Sequence, residues 1–380
     1  MKKLLPVCLL GIAFMVMPDI TPLAADRGAI SFLPGVLLRE PRQQAVLAWN
    51  ETEQILVLST DLSASQETRV LQVMPFPSEP QIAEADVRIF RQLHQIAWSS
   101  FDRSPPLALR GGALTEGPQV QPPGEITFHE RIGSHELFTI RADRLDGFVD
   151  WVHGRLRDLG VDQPTIPSVL RRSVEDYIRE GYRWFVFDVV DLSPELRTLE
   201  AISYRFATDA LFFPLKISRT GHGETDITLY VLTTWSAESM YLGDPLFHLQ
   251  PNPGMDRWRE EQLEQLKQQF EQMSRPSAQP QPRRSGATEA PMPPEPARPA
   301  AADRGLPRVT FEGVPLRSLT VTPVPGFDRS DLRTTVMPEL DALFPQDRPP
   351  YFSIWELRDD LQQLSDDLVV RVQWSGGSGK

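Results

Sequence analysis

The sequence predicts an α+β protein: an antiparallel, β-rich main domain with flanking helices, and a small α+β C-terminal unit after a proline-rich linker. Three observations carry this. Between Ala45 and Pro80 the chain reads AVLAWNETEQILVLSTDLSASQETRVLQVMPFPSEP, apolar runs of strand length with short polar joints. Thr225 to Leu232 alternates, with Ile227, Leu229 and Val231 on one face and Asp226, Thr228 and Tyr230 on the other. From Ser274 to Pro307 the composition turns to Pro, Ala, Gln, Arg and Glu, too poor in apolar residues to build a core.

In chain order, Lys2 and Lys3 precede an apolar stretch from Leu4 to Met17, and small residues at Ala24-Ala25 precede Asp26. This reads as a secretory signal peptide over residues 1–25, because the apolar run falls short of the ~20 residues that cross a membrane. Cys8 raises a lipoprotein alternative, but its position leaves almost no apolar region ahead of it, and it reads as one more apolar residue. Cleavage after Ala25 leaves no cysteine, which excludes disulfides, thiol nucleophiles and cysteine-ligated metals from the mature chain. It also removes two lysines and one aspartate, taking the formal charge from −12 to −13. So acidic a chain has no basic footprint for nucleic acid, and no transmembrane helix is expected after cleavage.

The main β-rich domain is assigned to residues 26–250. Its first three strands read as an antiparallel meander, closed by Pro75, Pro77 and Pro80, which cannot donate to a ladder. Ala83 to Trp98 has helical spacing, and the Pro- and Gly-rich stretch from Phe101 to Gly124 reads as a long surface loop. Ile126 to Ile140 reads as a hairpin turning at Gly133. Leu145 to Leu159 reads as a helix capped by Asp143, and Ser168 to Glu180 as a second, stopped by Gly181. Trp184 to Val190 is the most apolar strand candidate, followed by strands over Ile202–Phe206, Leu211–Ile217 and Thr225–Leu232. A charged helix is expected within 251–273, where self-association is one reading, and a disordered linker over 274–307. The C-terminal unit, 308–375, reads as two short strands, a helix-like segment over Asp328–Phe344, a helix over Ser353–Leu364 and a strand over Leu368–Trp374.

The segments AVLAWN, EQILVLSTDL, VLQVMPFPSEP, HERIGSHELFTI, EGYRWFVFDVVDL and YRFATDALFFPLKISRTGHGETDITLYVLTT, in that order, resemble the bacterial exported family called domain of unknown function 2330. The resemblance extends over roughly Asp26 to Thr234. It implies an exported, β-rich protein and supplies no activity.

Among the six histidines, His129 and His135 flank Gly133, and each precedes a glutamate, Glu130 and Glu136. A hairpin there would bring two imidazoles and two carboxylates together as a candidate divalent-metal site, although the spacing matches no established zinc motif. The alternative is a set of partly exposed polar residues on paired strands. His222, between two glycines, reads as a solvated turn. No GxSxG elbow occurs, and Gly376 to Lys380 lacks the spacing of a phosphate loop. Asp188 and Asp191 flank the end of the most apolar strand, and Asp61 and Glu67 sit in the meander's loop; such pairs can bind calcium or act as acid and base, and the reading preferred for both is solvated loop carboxylates. Trp49 and Asn50 read as a core aromatic and a turn residue.

The expected function is a binding or structural module of the bacterial cell envelope, periplasmic or extracellular, with an envelope protein or glycan as partner. The alternative is a metal-dependent hydrolase centred on His129 and His135.

Overall fold

A computed structural model describes residues 28–101, 126–220, 223–237, 307–313 and 318–374. The expected signal peptide, most of the Phe101–Gly124 loop, His222, His248, the 251–273 helix and nearly all of the linker lie outside the described residues. Strands dominate, almost all paired antiparallel, with a few helices packed on them, as the α+β reading requires.

The first sheet runs β1 (Gly28–Ser31), β4 (Thr68–Phe76), β8 (Trp184–Leu192), β7 (His135–Arg141), β6 (Ile126–Ile132). The second runs β14 (Leu319–Pro323), β15 (Tyr351–Asp360), β12 (Glu224–Thr233), β2 (Leu38–Trp49), β3 (Glu53–Ala64), β10 (Ala201–Ala207), β5 (Gln81–Ala85), with the short β9 (Arg197–Thr198) also on β3. A third, of β11 (Leu211–Phe213), β16 (Leu368–Trp374) and β13 (Pro307–Gly313), closes one side.

Continuous apolar strands result from burial on both faces. On β2 and β3, Ala45, Leu47, Trp49, Leu56 and Leu58 point toward the first sheet, where Met74, Phe76, Leu137 and Val186 meet them. Val46, Ala48, Ile55 and Val57 point outward, under α1 (Arg88–Phe101), α4 (Arg329–Arg333) and α5 (Glu339–Ala342). The outer face of the first sheet, with Leu71, Val73, Phe185 and Phe187, is covered by α2 (Leu145–Asp158) and α3 (Ser168–Glu180) through Phe148, Val152, Leu170 and Val174. The result is four layers: helices, sheet, sheet, helices.

Several expectations change, among them the Leu211–Ile217 strand, which ends at Phe213 ahead of a 3-10 turn over Lys216–Thr220, and the Ala83–Trp98 helix, which starts only at Arg88 because Gln81–Ala85 is the edge strand β5. β2 and β3 form the expected hairpin, with Ala45 opposite Leu58, but β4 leaves them and pairs with β1 and β8 in the other sheet. Ser353–Leu364 is not a helix. Tyr351–Asp360 is a ten-residue strand between β12 and β14, and Ile354, Leu357, Leu361 and Leu364, although helically spaced, are all buried. Burial on both faces of a sheet overrides the local helical preference here. Helix α2 starts after Arg144 without a side-chain cap, because the Asp143 carboxylate accepts from Arg141 at 3.2 Å instead.

The β2–β3 turn follows its sequence signature. Asn50 Oδ1 accepts from the Thr52 and Glu53 backbone N–H groups at 3.0 and 2.8 Å, and its Nδ2 donates to the Leu343 carbonyl at 2.9 Å. Trp49 is 1% exposed and donates its Nε1–H to the Thr208 carbonyl at 3.3 Å. Both residues are structural. Among the described residues no helix is long and apolar enough to cross a membrane.

Candidate functional site

The strongest polar constellation lies between the two large sheets. Strand side chains alternate, so His135 and Leu137 on β7 and Val186 and Asp188 on β8 face the inter-sheet core. Leu137 is directly opposite Asp188, and His135 is its diagonal neighbour. His135 Nδ1 and Asp188 Oδ2 are 2.6 Å apart, with both side chains 2% exposed. The other ring nitrogen donates across the gap to the Glu200 backbone carbonyl at 3.1 Å, on the segment leading into β10. A carbonyl can only accept, so Nε2 carries a proton, and the short Nδ1–Oδ2 contact holds a second proton between imidazole and carboxylate. The pair therefore acts as a cross-sheet strut.

Its rim is more open. Ser134 Oγ donates to Glu200 Oε2 at 2.5 Å, and that carboxylate lies 3.8 Å from His135 Nε2. Burial works to raise the Glu200 carboxyl, but the Ser134 hydroxyl, backbone donors and the His135 charge outweigh it and hold the carboxyl below the usual range. Gly133 makes the turn at φ +56°, and a Cβ there would meet the Glu200 side chain at 2.9 Å.

The four residues expected to share a metal do not converge. His129 and Glu136 do meet, Nε2 to Oε1 at 3.3 Å, on the helix-facing side of the first sheet. There His129 stacks on Phe138, with ring centroids 4.3 Å apart, and Arg155 donates to the same Glu136 oxygen at 2.7 Å. His135 lies on the opposite face, and Glu130 is exposed opposite Leu137. The period-two alternation separates neighbours that the sequence places side by side. Among the described residues no group of three or more histidine, cysteine, aspartate or glutamate side chains is gathered to hold a metal ion.

The carboxylates Asp188 and Asp191 also separate, and Asp61 and Glu67 have no partner in common among the contacts of the described residues. Asp188 is buried, whereas Asp191 is exposed and paired with Arg69 at 3.2 Å. Asp61 accepts from Thr198 Oγ1 at 2.6 Å, and Glu67 is exposed.

A second buried polar cluster joins α3, the 3-10 turn Lys216–Thr220 and the turn before β16. Asp367 Oδ1 accepts from Tyr177 Oη at 2.6 Å and from the Lys216 backbone N–H at 2.8 Å. The Lys216 ammonium reaches Glu180 at 2.6 Å and sits 4.2 Å over the Tyr177 ring. Burial pushes the Asp367 carboxyl up to about 6, against the lowering by its donors. Burial, with the adjacent carboxylate, also raises the Tyr177 phenol well above its ordinary value. Beside this cluster lies a cleft of ≈ 200 Å³ edged by Glu180, Tyr182, Asp209 and Arg371. Its guanidinium and the Asp209 carboxylate already pair with each other, at 3.0 Å. The sequence marked neither cluster, although an aspartate inside the apolar run WFVFDVV was a signal that a buried partner had to exist.

The family described as an uncharacterized protein conserved in bacteria (DUF2330) matches residues 21–241, more than half of the chain. The chain belongs to this family. The DUF2330 match holds β1 to β12 and all of the residues of the inter-sheet site, and ends before the segment 307–374. No curated protein matches the chain. Among solved structures, baculovirus P35 aligns over 90% of this chain and 99% of its own, at 10% identity and a TM-score of 0.34. A mutated baculovirus P35 after caspase cleavage aligns over 50% of this chain and 66% of its own, slightly under two thirds, at 10% identity and a TM-score of 0.29. Both scores are too low to inform fold or activity.

Proposed function

We propose that this DUF2330 protein is an exported binding or structural module of the bacterial cell envelope, with a protein or glycan of the envelope as partner. The observation that supports it best is the position of the His135–Asp188 pair. An imidazole hydrogen-bonded to a buried carboxylate has the parts of a general base, yet it is 1% exposed and its second nitrogen is engaged by the Glu200 carbonyl. Both of its ring nitrogens are already engaged, so neither is free to take a proton from a substrate. The apolar stretch before Ala25 supports export, and the formal charge of −12 argues against nucleic acid as a partner.

The test uses the full chain expressed with its own N-terminus. Cell fractionation should find it outside the cytoplasm, shortened at the N-terminus, and the purified product should co-sediment with envelope material while leaving ester, peptide and phosphoester substrates intact. Retention in the cytoplasm would overturn the export reading, and turnover abolished by His129→Ala or His135→Ala would overturn the binding reading in favour of the metal-dependent hydrolase. Metal analysis of the same preparation gives an independent readout of that alternative.

A further inference from the structure

We propose that residues 307–374 are a separable strand donor, and that the outer edge of β12 is an acceptor site for an extended polypeptide strand, occupied in this chain by its own β15. The segment lies wholly beyond the DUF2330 match, yet two of its strands, β15 and β16, each pair on both sides within a sheet, and β14 and β13 form the edges beyond them. β12 ends the family portion of the second sheet, with β2 on one side. On the other, all ten of its residues, Glu224 to Thr233, pair with Asp360 to Tyr351.

Main-chain pairing supplies the affinity of such an edge, and alternate side chains supply its specificity. Trp355 and Leu357 enter the core between the sheets, whereas Phe352 and Ile354 enter the one under α1. A second grip lies apart from the first. β16 pairs with β11 from Leu368 to Val370, and Asp367 takes its two hydrogen bonds from Tyr177 and Lys216 of the family portion.

The occupant is the chain's own segment, for a reason of connectivity. Residues 238–306 separate the last described family residue from the donor. Because donor and acceptor belong to one chain, docking is intramolecular, with an effective concentration on the order of millimolar. Docking within one chain therefore prevails over exchange with a second copy at micromolar protein. Release of the donor would open a ten-residue edge to another strand.

The experiment inserts a sequence-specific protease site after Ala287 of the full chain and cleaves the folded protein. The two fragments should co-elute at the mass of the uncut chain, with the β12 amides still protected from hydrogen exchange. Folded Ile354→Ala protein, cut in the same way, should dissociate at least tenfold more readily on dilution, and the milder Ile354→Val less so. Fragments that part in native buffer would overturn the proposal. So would co-elution at twice the mass, or dissociation unaffected by both substitutions.

Discussion

Replacing Asp367 by asparagine should flatten one component of the pH dependence of stability. The carboxyl is raised from 3.8 to about 6 in the folded protein, chiefly by burial. A group raised in this way contributes fully below its unfolded value, and that contribution is lost as pH rises through the folded value. The shift is about 2 pH units, and each is worth about 1.4 kcal/mol, so ionised Asp367 costs the folded state about 3 kcal/mol above pH 7 relative to pH 3. The amide of the Asp367→Asn variant keeps an oxygen for Tyr177 and the Lys216 N–H but has no proton to lose. The difference in unfolding free energy between Asp367→Asn and the parent should therefore shift by about 2–3 kcal/mol in favour of the variant between pH 4 and 7.5. Urea denaturation followed by tryptophan fluorescence across that range measures it. Other titrating groups are common to both proteins and cancel in the difference. Parallel stability curves for the two proteins would refute the assignment of this component to Asp367.

Three further outcomes follow from buried partners. His135→Ala removes the imidazole partner of the buried Asp188 carboxylate and should cost about 3–5 kcal/mol. Adding Asp188→Ala should cost clearly less than the sum of the two single changes, and additive losses in denaturant titrations would remove the strut. Asn50→Ala removes the acceptor of two turn N–H groups and the donor to Leu343, for about 1–2 kcal/mol in thermal or chemical melts; an unchanged midpoint would count against it. Arg329 donates to the Asp341 carboxylate and to the carbonyls of Asp341, Phe344 and Pro345. Arg329→Ala should cost about 2–4 kcal/mol, with Arg329→Lys recovering only part of it because an ammonium cannot span those acceptors. Full recovery by lysine would argue that charge alone matters.

How much of this was legible in the sequence differs from element to element. The β2–β3 hairpin and its asparagine turn were readable because hydrophobic pattern and turn chemistry agree over adjacent residues. β4 was readable as a strand, but its partners β1 and β8 come from both sides of it along the chain, and no local signal names them. Ser353–Leu364 misled because Ile354, Leu357, Leu361 and Leu364 have helical spacing, whereas the segment is covered on both faces by distant residues. The four residues of the metal reading are divided between two faces of the hairpin for a related reason. His129, Glu130, His135 and Glu136 are close along the hairpin, but the pleat sends His135 inward and His129 toward the helices. The partner that His135 does have, Asp188, is 53 residues away and is fixed only by cross-strand register.

The place of β12 has a consequence for the order of folding. Its neighbours in the sheet are residues 42–49, near the start of the described chain, and 351–360, near its end. A chain made from its N-terminus therefore has the hairpin β2–β3 early, but cannot flank β12 on both sides until almost the last residue exists. Contacts so distant in sequence close slowly, since the loop entropy is lost before the pairing compensates for it. Until then β12 is a bare edge with apolar residues on both faces, a form prone to wrong pairing. Refolding should accordingly show early protection in β2 and β3 and a late, rate-limiting step in which β12 and Trp355 become protected together.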